Sequence, residues 1–437
     1  MKRTRAGSAI ALGLSVALLA ACGGNGDPEE TTPAGDGNGD SPDQVTITWW
    51  HNNNNDPGLG LFQDAADQFM ADNPHVTIDV SALQNEDLRT RLTVALQSND
   101  PPDLFQQWGG GEMQEQVEAG LLMDLTDEIP DAIQGVGEGN VAGWTTPEGR
   151  VYGIPYTVGV VGFWYNQAHF EQIGADIPET VDDLLEISEQ LKAEGIDPIA
   201  VGVGDGWPSA FYYNYFVVRN CDSSIIDAAA PPTYDFSDGC WLEAAEQLQA
   251  FIDAEPFNEG FLGTAAQQGA ASSAGLVANG NATMELMGQW NAGVMRGLTE
   301  DEQGLGDDLG WFPFPAVAGG AGSADASVGG GDAFSCSSQA PRECAEFLGY
   351  LASLEQQTAY AEIGEVPVTA GAEEAVEDPI MQTIIEARDN SEFVQLYLDV
   401  YLGPNVGGAL NDAVALLFAG SIDPEGLVAE VRAAAEQ

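Results

Sequence analysis

The segments V-T-I-T-W-W-H at Val45–His51 and D-N-P-H-V-T-I-D-V at residues 72–80 decide the fold class. Each contains a run of β-branched and aromatic residues that predicts a strand, over residues 45–50 and 76–80. The sequence between them, residues 59–72, has the apolar spacing of an amphipathic helix. Strands that alternate with helices in this order favour an α/β fold with a largely parallel sheet.

A second alternation of strands and helices begins near Val158. It includes a helix over residues 180–193, whose Thr180 and Asp183 have the spacing of an N-terminal capping box. A strand over residues 282–288 follows later. Beyond Gly310 the pattern changes to extended and glycine-rich sequence. The glycine run at residues 329–331 is either a flexible loop or a place where main chain approaches a ligand.

The N-terminus has the features of an export signal. Basic residues precede an apolar run at residues 9–21 that is too short for a permanent membrane helix. The run ends in L-A-A-C, which resembles a bacterial lipobox with Cys22 as the lipidated residue. An ordinary cleavable signal and an uncleaved apolar N-terminus are the alternatives. We expect residues 1–21 to be the signal peptide and the polar residues 22–43 a flexible tether.

The charge balance restricts the partners. The chain has 69 acidic and 12 basic residues and a formal net charge of -57. Nucleic acid is a poor partner for such a surface. The acidic residues are spread along predicted helices, which favours a solvated acidic surface and an uncharged ligand; the alternative is a cationic ligand.

Four cysteines remain besides Cys22: Cys221, Cys240, Cys336 and Cys344. An even number in an exported chain predicts two disulfides. Of the three connectivities, we favour the sequence-local pairs Cys221–Cys240 and Cys336–Cys344. Zinc is the competing interpretation, but there is no C-x2-C pair and no histidine nearby, so no metal site is expected.

Further segments occur in a fixed order across nearly the whole mature chain. After the two opening segments come P-P-D-L-F-Q-Q-W-G-G-G, A-G-L-L-M-D-L-T, G-R-V-Y-G-I-P-Y, F-W-Y-N-Q-A-H-F, I-P-E-T-V-D-D-L, L-K-A-E-G-I-D-P-I-A-V-G, M-E-L-M-G-Q-W-N and G-W-F-P-F-P-A-V. The ordered set resembles the family 1 extracellular solute-binding proteins, which include the maltose binder.

This resemblance implies a two-lobed α/β fold of the type II periplasmic-binding-protein kind. Each lobe is a sheet flanked by helices, hinge crossings join the lobes, and a ligand binds in the cleft between them. We expect residues 44–157 plus about 309–352 to form lobe 1. Residues 158–308 plus about 353–437 would form lobe 2.

The resemblance also implies that the chain is the binding component of an ABC importer for a neutral sugar. A sugar site needs aromatic platforms and fixed polar groups. Loops at predicted strand ends supply both. The candidates with aromatic rings are Trp50, His51, Trp108, Tyr156, Trp207 and Trp290. The polar candidates are Asn52, Gln107, Asp205, Glu285, Gln289 and Asp332. Of the adjacent Trp49 and Trp50, we expect Trp50 to face outward.

Several aromatic platforms favour a di- or oligosaccharide. The expected partners are this carbohydrate, the importer's permease subunits and, through the anchor alone, the outer face of the cell membrane. We expect a monomer without a cofactor.

Two other function classes are weighed against this one. A secreted glycoside-acting enzyme would need a carboxylate pair, which 69 acids can supply. However, the chain has no G-x-S-x-G, Walker A or H-E-x-x-H motif, and its three histidines have no evident catalytic partners. A binder of a cationic solute such as a polyamine would fit the net charge, but the aromatic residues at strand ends favour sugar.

Overall fold

The computed structural model describes residues 44–98 and 100–437. The predicted signal peptide, the tether and Cys22 lie outside this part of the chain. Its ten strands are β1 Val45–His51, β2 Val76–Ala82, β3 Leu104–Gln107, β4 Ile154–Val160, β5 Gly162–Asn166, β6 Asp197–Ala200, β7 Ala282–Met287, β8 Leu309–Pro313, β9 Ser327–Cys336 and β10 Val394–Leu396.

Within the same described residues, eighteen α-helices surround the strands. They are α1 Gly58–Asp72, α2 Asn85–Gln97, α3 Gly110–Glu118, α4 Pro130–Val136, α5 Glu138–Val141, α6 Gln167–Ile173, α7 Val181–Ala193, α8 Trp207–Asn220, α9 Ser223–Ala229, α10 Cys240–Asp253, α11 Ser273–Ala278, α12 Asn291–Gly297, α13 Arg342–Leu351, α14 Leu354–Glu362, α15 Pro379–Asn390, α16 Leu398–Tyr401, α17 Gly403–Phe418 and α18 Pro424–Ala435. None of the helices in the described residues is long and apolar enough to span a bilayer.

The strands form two sheets, and this confirms the predicted α/β class. The larger sheet has the order β10-β9-β3-β1-β2, with β4 also paired to β9, and the smaller has the order β6-β7-β5-β8. Strand β1 runs parallel to β2 and β3, whereas β9 is antiparallel to β3 and β4. The opening alternation of strands and helices therefore builds the parallel part of the larger sheet.

The core of the larger sheet follows from the alternation along β1. Ile47, Trp49 and His51 are buried, while Trp50 between them is half-buried. Trp49 packs edge-on against Phe334 and Phe347, each with ring centroids 5.2 Å away. The prediction that Trp50 rather than Trp49 faces away from this core agrees with the structure.

The sheets place two segments differently from the predicted lobe boundaries. Residues 309–313 pair with β5 of the smaller sheet, and residues 394–396 pair with β9 of the larger sheet. The lobe boundaries themselves remain a prediction. We propose that the chain passes between lobes at residues 160–162 and again between residues 313 and 327, where consecutive strands change sheet.

The glycine-rich segment at residues 319–332 is not loop throughout, because its second half is strand β9. Glycine is required there by the neighbouring strand β4. A Cβ atom on Gly331 would lie 2.0 Å from the carbonyl oxygen of Thr157, and one on Gly329 would lie 2.4 Å from that of Gly159. The run therefore allows two backbones to approach each other.

The structure contains the predicted capping box and the two predicted disulfides. The capping box at Thr180 is present, with reciprocal hydrogen bonds between Thr180 and Asp183 at the start of α7. Within residues 265–279, the α-helix is limited to Ser273–Ala278. Cys221 is joined to Cys240 and Cys336 to Cys344, which is the sequence-local pairing favoured above.

Candidate functional site

The structure contains a cavity lined by loops and helices that are connected to both sheets. Its volume is about 1250 Å³ with the open mouth included. Trp108, which follows β3 of the larger sheet, and Trp290, which follows β7 of the smaller sheet, both line it. A ligand cleft between two lobes, which the resemblance implies, requires candidates from both sheets to lie in one cavity, and these two tryptophans do.

Six of the twelve predicted ligand-binding residues line this cavity. They are Asn52, Trp108, Tyr156, Trp207, Trp290 and Asp332. Their roles towards a ligand remain a prediction, but their positions agree with it.

Aromatic side chains form one wall of the cavity. The rings of Trp207 and Trp290 are tilted by 53° with centroids 6.4 Å apart, and Trp290 meets Tyr397 edge-on at 6.3 Å. Phe211 lies between Trp207 and Tyr397, at 5.5 Å and 5.3 Å. These contacts hold the rings as a continuous apolar surface, which suits the C–H face of a sugar ring.

Trp108 is held by a cation. The Arg89 guanidinium lies over its ring, 4.0 Å from the centroid. Such stacking stabilises the ring orientation. Arg89 is also the only basic side chain among the residues that line the cavity.

A hydrogen-bonded network forms the polar part of the cavity around Tyr156. The Tyr156 hydroxyl accepts hydrogen bonds from Asn53 Nδ2 at 3.1 Å and from Gln106 Nε2 at 3.3 Å. Gln106 Nε2 also donates to Asp332 Oδ1 at 2.7 Å. Burial raises the pKa of the Tyr156 hydroxyl well above its ordinary value, and the nearby Asp332 charge adds to this effect. The phenol therefore stays protonated and can serve as a donor.

Two carboxyl groups of the cavity have perturbed pKa values. Burial raises the pKa of Asp332 to about 6, and the hydrogen bond from Gln106 and the charge of Arg89 oppose this shift. Burial also raises the pKa of Glu365 to about 8, while the charge of Arg296 opposes the shift and that of Asp332 adds to it. Near neutral pH the site thus offers one largely ionised acceptor and one acid that holds its proton.

The other six predicted residues do not line the cavity. Trp50 is half-buried and packs against a second hydrophobic cluster, distinct from the one that contains Trp49. His51 is fully buried beside Trp49 and Phe62, and burial lowers its pKa to about 3. The alternation along β1 that turns Trp49 inward turns His51 inward as well, so the expectation that His51 contacts a ligand does not agree with its position.

The side chains of Gln107 and Asp205 form hydrogen bonds with other groups of the protein. Gln107 donates to Gln116 Oε1 at 2.7 Å and accepts from the Gly109 amide at 3.0 Å. Asp205 accepts from the Ala266 amide at 2.7 Å. Both side chains therefore stabilise loops beside the cavity.

Glu285 and Gln289 are buried and are not among the residues that line the cavity. Glu285 accepts from Asn291 Nδ2 at 2.8 Å, and burial raises its pKa to about 8. Gln289 donates to Thr157 Oγ1 at 3.3 Å, which joins the loop after β7 to β4 of the other sheet. Their positions indicate structural rather than ligand-binding contacts.

Several residues of the cavity lining, and Gln106 of the hydrogen-bonded network around Tyr156, were not identified from the sequence. Gln106 was missed because all four residues of β3 are buried, so alternation could not distinguish it from Gln107. Other missed residues lie on helices or in loops without a motif, among them residues 53–57, Arg89, Phe211, Tyr360, Glu365, Tyr397 and Asp399. The excess of asparagine at residues 52–55 was the one signal that could have drawn attention to that loop.

No cluster of three or more histidine, cysteine or carboxylate side chains suited to a metal ion occurs in the part of the chain that the structure describes.

Comparison with known proteins gives the chain a family and a fold. A family profile described as bacterial extracellular solute-binding protein matches residues 55–358. The multiple sugar-binding protein of Streptococcus mutans is 24% identical over 397 residues, which cover 88% of this chain and 87% of that protein.

Two solved structures are similar over almost their full length. One comes from work on xylan utilization by the thermophilic bacterium Caldanaerobius polysaccharolyticus, with a TM-score of 0.82, 25% identity and coverage of 89% of this chain and 99% of that chain. The other is a chitin oligosaccharide binding protein, with a TM-score of 0.79, 25% identity and coverage of 90% and 99%. These similarities confirm the expected fold, that of a two-lobed type II binding protein.

Proposed function

Because this chain belongs to the bacterial extracellular solute-binding proteins, we propose that it binds a di- or oligosaccharide in the cavity and delivers it to an ABC importer. The observation that carries the proposal is the combination of an aromatic wall with a polar network in one cavity. Trp207, Trp290 and Tyr397 supply the wall, and Tyr156 and Asp332 belong to the network. Stacking faces together with directed hydrogen-bond groups are what a polyhydroxylated ring requires.

The number of aromatic rings in the cavity supports a ligand with more than one ring. Trp108, Trp207, Trp290 and Tyr397 all line the cavity, so more than one sugar ring can meet an aromatic face. The relatives named above include a multiple sugar-binding protein and a chitin oligosaccharide binding protein, which supports the same class of ligand.

The test is isothermal titration calorimetry of the mature protein against a saccharide panel. The panel contains xylan fragments, chitin oligosaccharides and cello-oligosaccharides, with spermidine as a cationic comparison. We expect saturable heat with at least one saccharide. Heat with spermidine alone would reject the sugar proposal in favour of a cationic solute.

A pair of tryptophan variants tests the location of the site. Trp290 and Trp50 are both half-buried and both were predicted ligand contacts, but only Trp290 lines the cavity. We expect Trp290→Ala to weaken saccharide binding by about tenfold or more, since a stacking platform is lost. Trp50→Ala should leave the affinity within about twofold. Equal losses in the two variants would place the ligand elsewhere.

We propose that this chain binds its ligand without cleaving it. The proteins of known role that it resembles are binding proteins. A carboxylate pair that cleaved the ligand would shorten the oligosaccharides during prolonged incubation. We expect chromatography to recover each bound saccharide intact after release.

The transport role includes a membrane anchor at Cys22, a monomeric state and closure of the two lobes on the ligand. Closure follows if the ligand makes more contacts with the closed form than with the open form. We expect Cys22→Ala to release the protein from cells into the medium, and radiolabelled palmitate to be incorporated only when Cys22 is present. Incorporation into the Cys22→Ala variant would contradict the assignment of the anchor.

A further inference from the structure

Glu86 lies between residues that line the cavity, Asn85 and Trp207, and contacts elements associated with both sheets. It occupies the first turn of α2, the helix between strands β2 and β3 of the larger sheet. Its Oε1 accepts a hydrogen bond from the indole Nε1 of Trp207 at 3.1 Å. Trp207 begins α8, which follows strand β6 of the smaller sheet. Glu86 is not itself part of the cavity lining.

The carboxylate of Glu86 is held in place from its own side. Gln84 and Asn85 donate to it through their side-chain amides, the latter at 3.2 Å. On the far side, Gln268 Nε2 lies 3.5 Å from Oε2, next to the bond from Trp207. These contacts orient the acceptor towards Trp207, and a carboxylate acceptor makes a stronger hydrogen bond than a neutral group.

Trp207 is the residue on which this bond acts. It lines the cavity and packs against Trp290 and Phe211 in the aromatic wall. Because an indole has a single N–H, the bond to Glu86 fixes the rotation of the ring within that wall. The same bond connects α2 to α8 across the cavity.

On the basis of the proposed function, we propose that Glu86 is a positioning residue that slows release of the bound saccharide. It does so through its hydrogen bond to the Trp207 indole, which joins α2 to Trp207 and which we call the latch. The latch fixes the Trp207 ring against which the saccharide would stack, so it strengthens the contacts that hold a bound saccharide and adds little to the first encounter. Its loss therefore raises the dissociation rate and leaves the association rate nearly unchanged.

The test compares three single variants by stopped-flow kinetics, with the most tightly bound saccharide of the panel above as the probe. We expect Glu86→Ala to speed dissociation by about tenfold, the order of effect for a hydrogen bond to a charged group. The association rate should stay within about twofold. Glu86→Gln retains an oxygen acceptor without the charge and should recover part of the loss.

Asp87→Asn is the matched control. Asp87 is the exposed neighbour of Glu86 in the same helical turn, and this variant removes the same unit of charge. We expect wild-type dissociation for Asp87→Asn. A tenfold effect in this control as well would show that general charge, and not the latch, sets the rate, and the proposal would be rejected.

A double-mutant cycle tests the partner. Trp207→Phe removes the indole N–H and keeps a ring, so Glu86→Ala should have no further effect on dissociation in that background. A full additive effect would overturn the assignment of Trp207 as the partner.

A ligand-free measurement separates failure of the latch from failure of the proposed function. In protein labelled with nitrogen-15 at tryptophan, the indole signal missing from Trp207→Phe identifies Trp207. We expect this signal to shift and its proton to exchange faster in Glu86→Ala than in the wild type and in Asp87→Asn. An unchanged signal would overturn the latch whether or not any saccharide binds.

Discussion

Replacing Asp332 with asparagine should change how the stability of the protein depends on pH. Asp332 lines the cavity, is half-buried and accepts a hydrogen bond from Gln106 at 2.7 Å. An asparagine has almost the same shape and keeps an oxygen that accepts this bond. The substitution therefore removes one titrating group with little change in packing.

The sign follows from the pKa. Burial raises the pKa of Asp332 from its ordinary value of 3.8 to about 6. The folded protein thus binds this proton more tightly than the unfolded chain does. The stabilisation is fully present below pH 3.8 and is lost as the pH rises through about 6. At 1.36 kcal/mol per pKa unit the full difference is about 3 kcal/mol, and we expect about 2 kcal/mol because solvent reaches part of the side chain.

Urea denaturation of wild type and Asp332→Asn at several values between pH 4 and pH 7 measures the effect. Relative to wild type, the variant should become more stable by about 2 kcal/mol as the pH rises over this range. Asp87→Asn, which removes an exposed carboxylate, serves as the control and should follow the wild-type curve. Parallel curves for Asp332→Asn and wild type would refute the reasoning that the folded structure holds this proton.

Three further predictions concern stability. Replacing both Cys221 and Cys240 with serine should lower the free energy of unfolding by about 3 kcal/mol, because the unfolded chain loses a covalent constraint; a loss below about 0.5 kcal/mol in urea denaturation would contradict this. Gly159→Ala places a methyl group 2.5 Å from Cδ of Gln289 and should cost about 1 to 3 kcal/mol; an unchanged melting temperature would show that Gln289 moves aside freely. Thr180→Ala removes the side chain that caps α7 and should cost about 1 kcal/mol, whereas Thr180→Ser should cost much less; equal losses would argue against the cap.

The parts of the fold that could be predicted from sequence are those set by local periodicity. Strand β1 and the cap of α7 follow from patterns within a few residues, and both are present. The glycine run of β9 was ambiguous because its cause lies elsewhere in the chain. The requirement for glycine at Gly331 comes from the carbonyl group of Thr157, 174 positions earlier in the sequence, and no local pattern reports such an approach.

The candidate site was predicted in part for a similar reason. Trp108 and Trp290 were predicted because each follows a buried strand within three residues, where loops reach a cleft. Tyr360 and Glu365 follow no strand and reach the cavity only through packing of distant segments. His51 was assigned to the cavity although the two-residue period of β1 places it on the same face as Trp49. Strict use of that period would have excluded it.

The close approach of β9 and β4 bears on any attempt to map this protein by saturation mutagenesis. Side chains at Gly329 and Gly331 would collide with main-chain atoms of the adjacent strand, so almost every allele at these codons should be depleted in a selection for growth on the transported sugar. Variants of residues that contact the sugar would be depleted in the same selection. Scoring the same library for protein abundance would separate the two groups, because alleles of Gly331 would vanish from both screens and alleles of Trp290 from the growth screen alone.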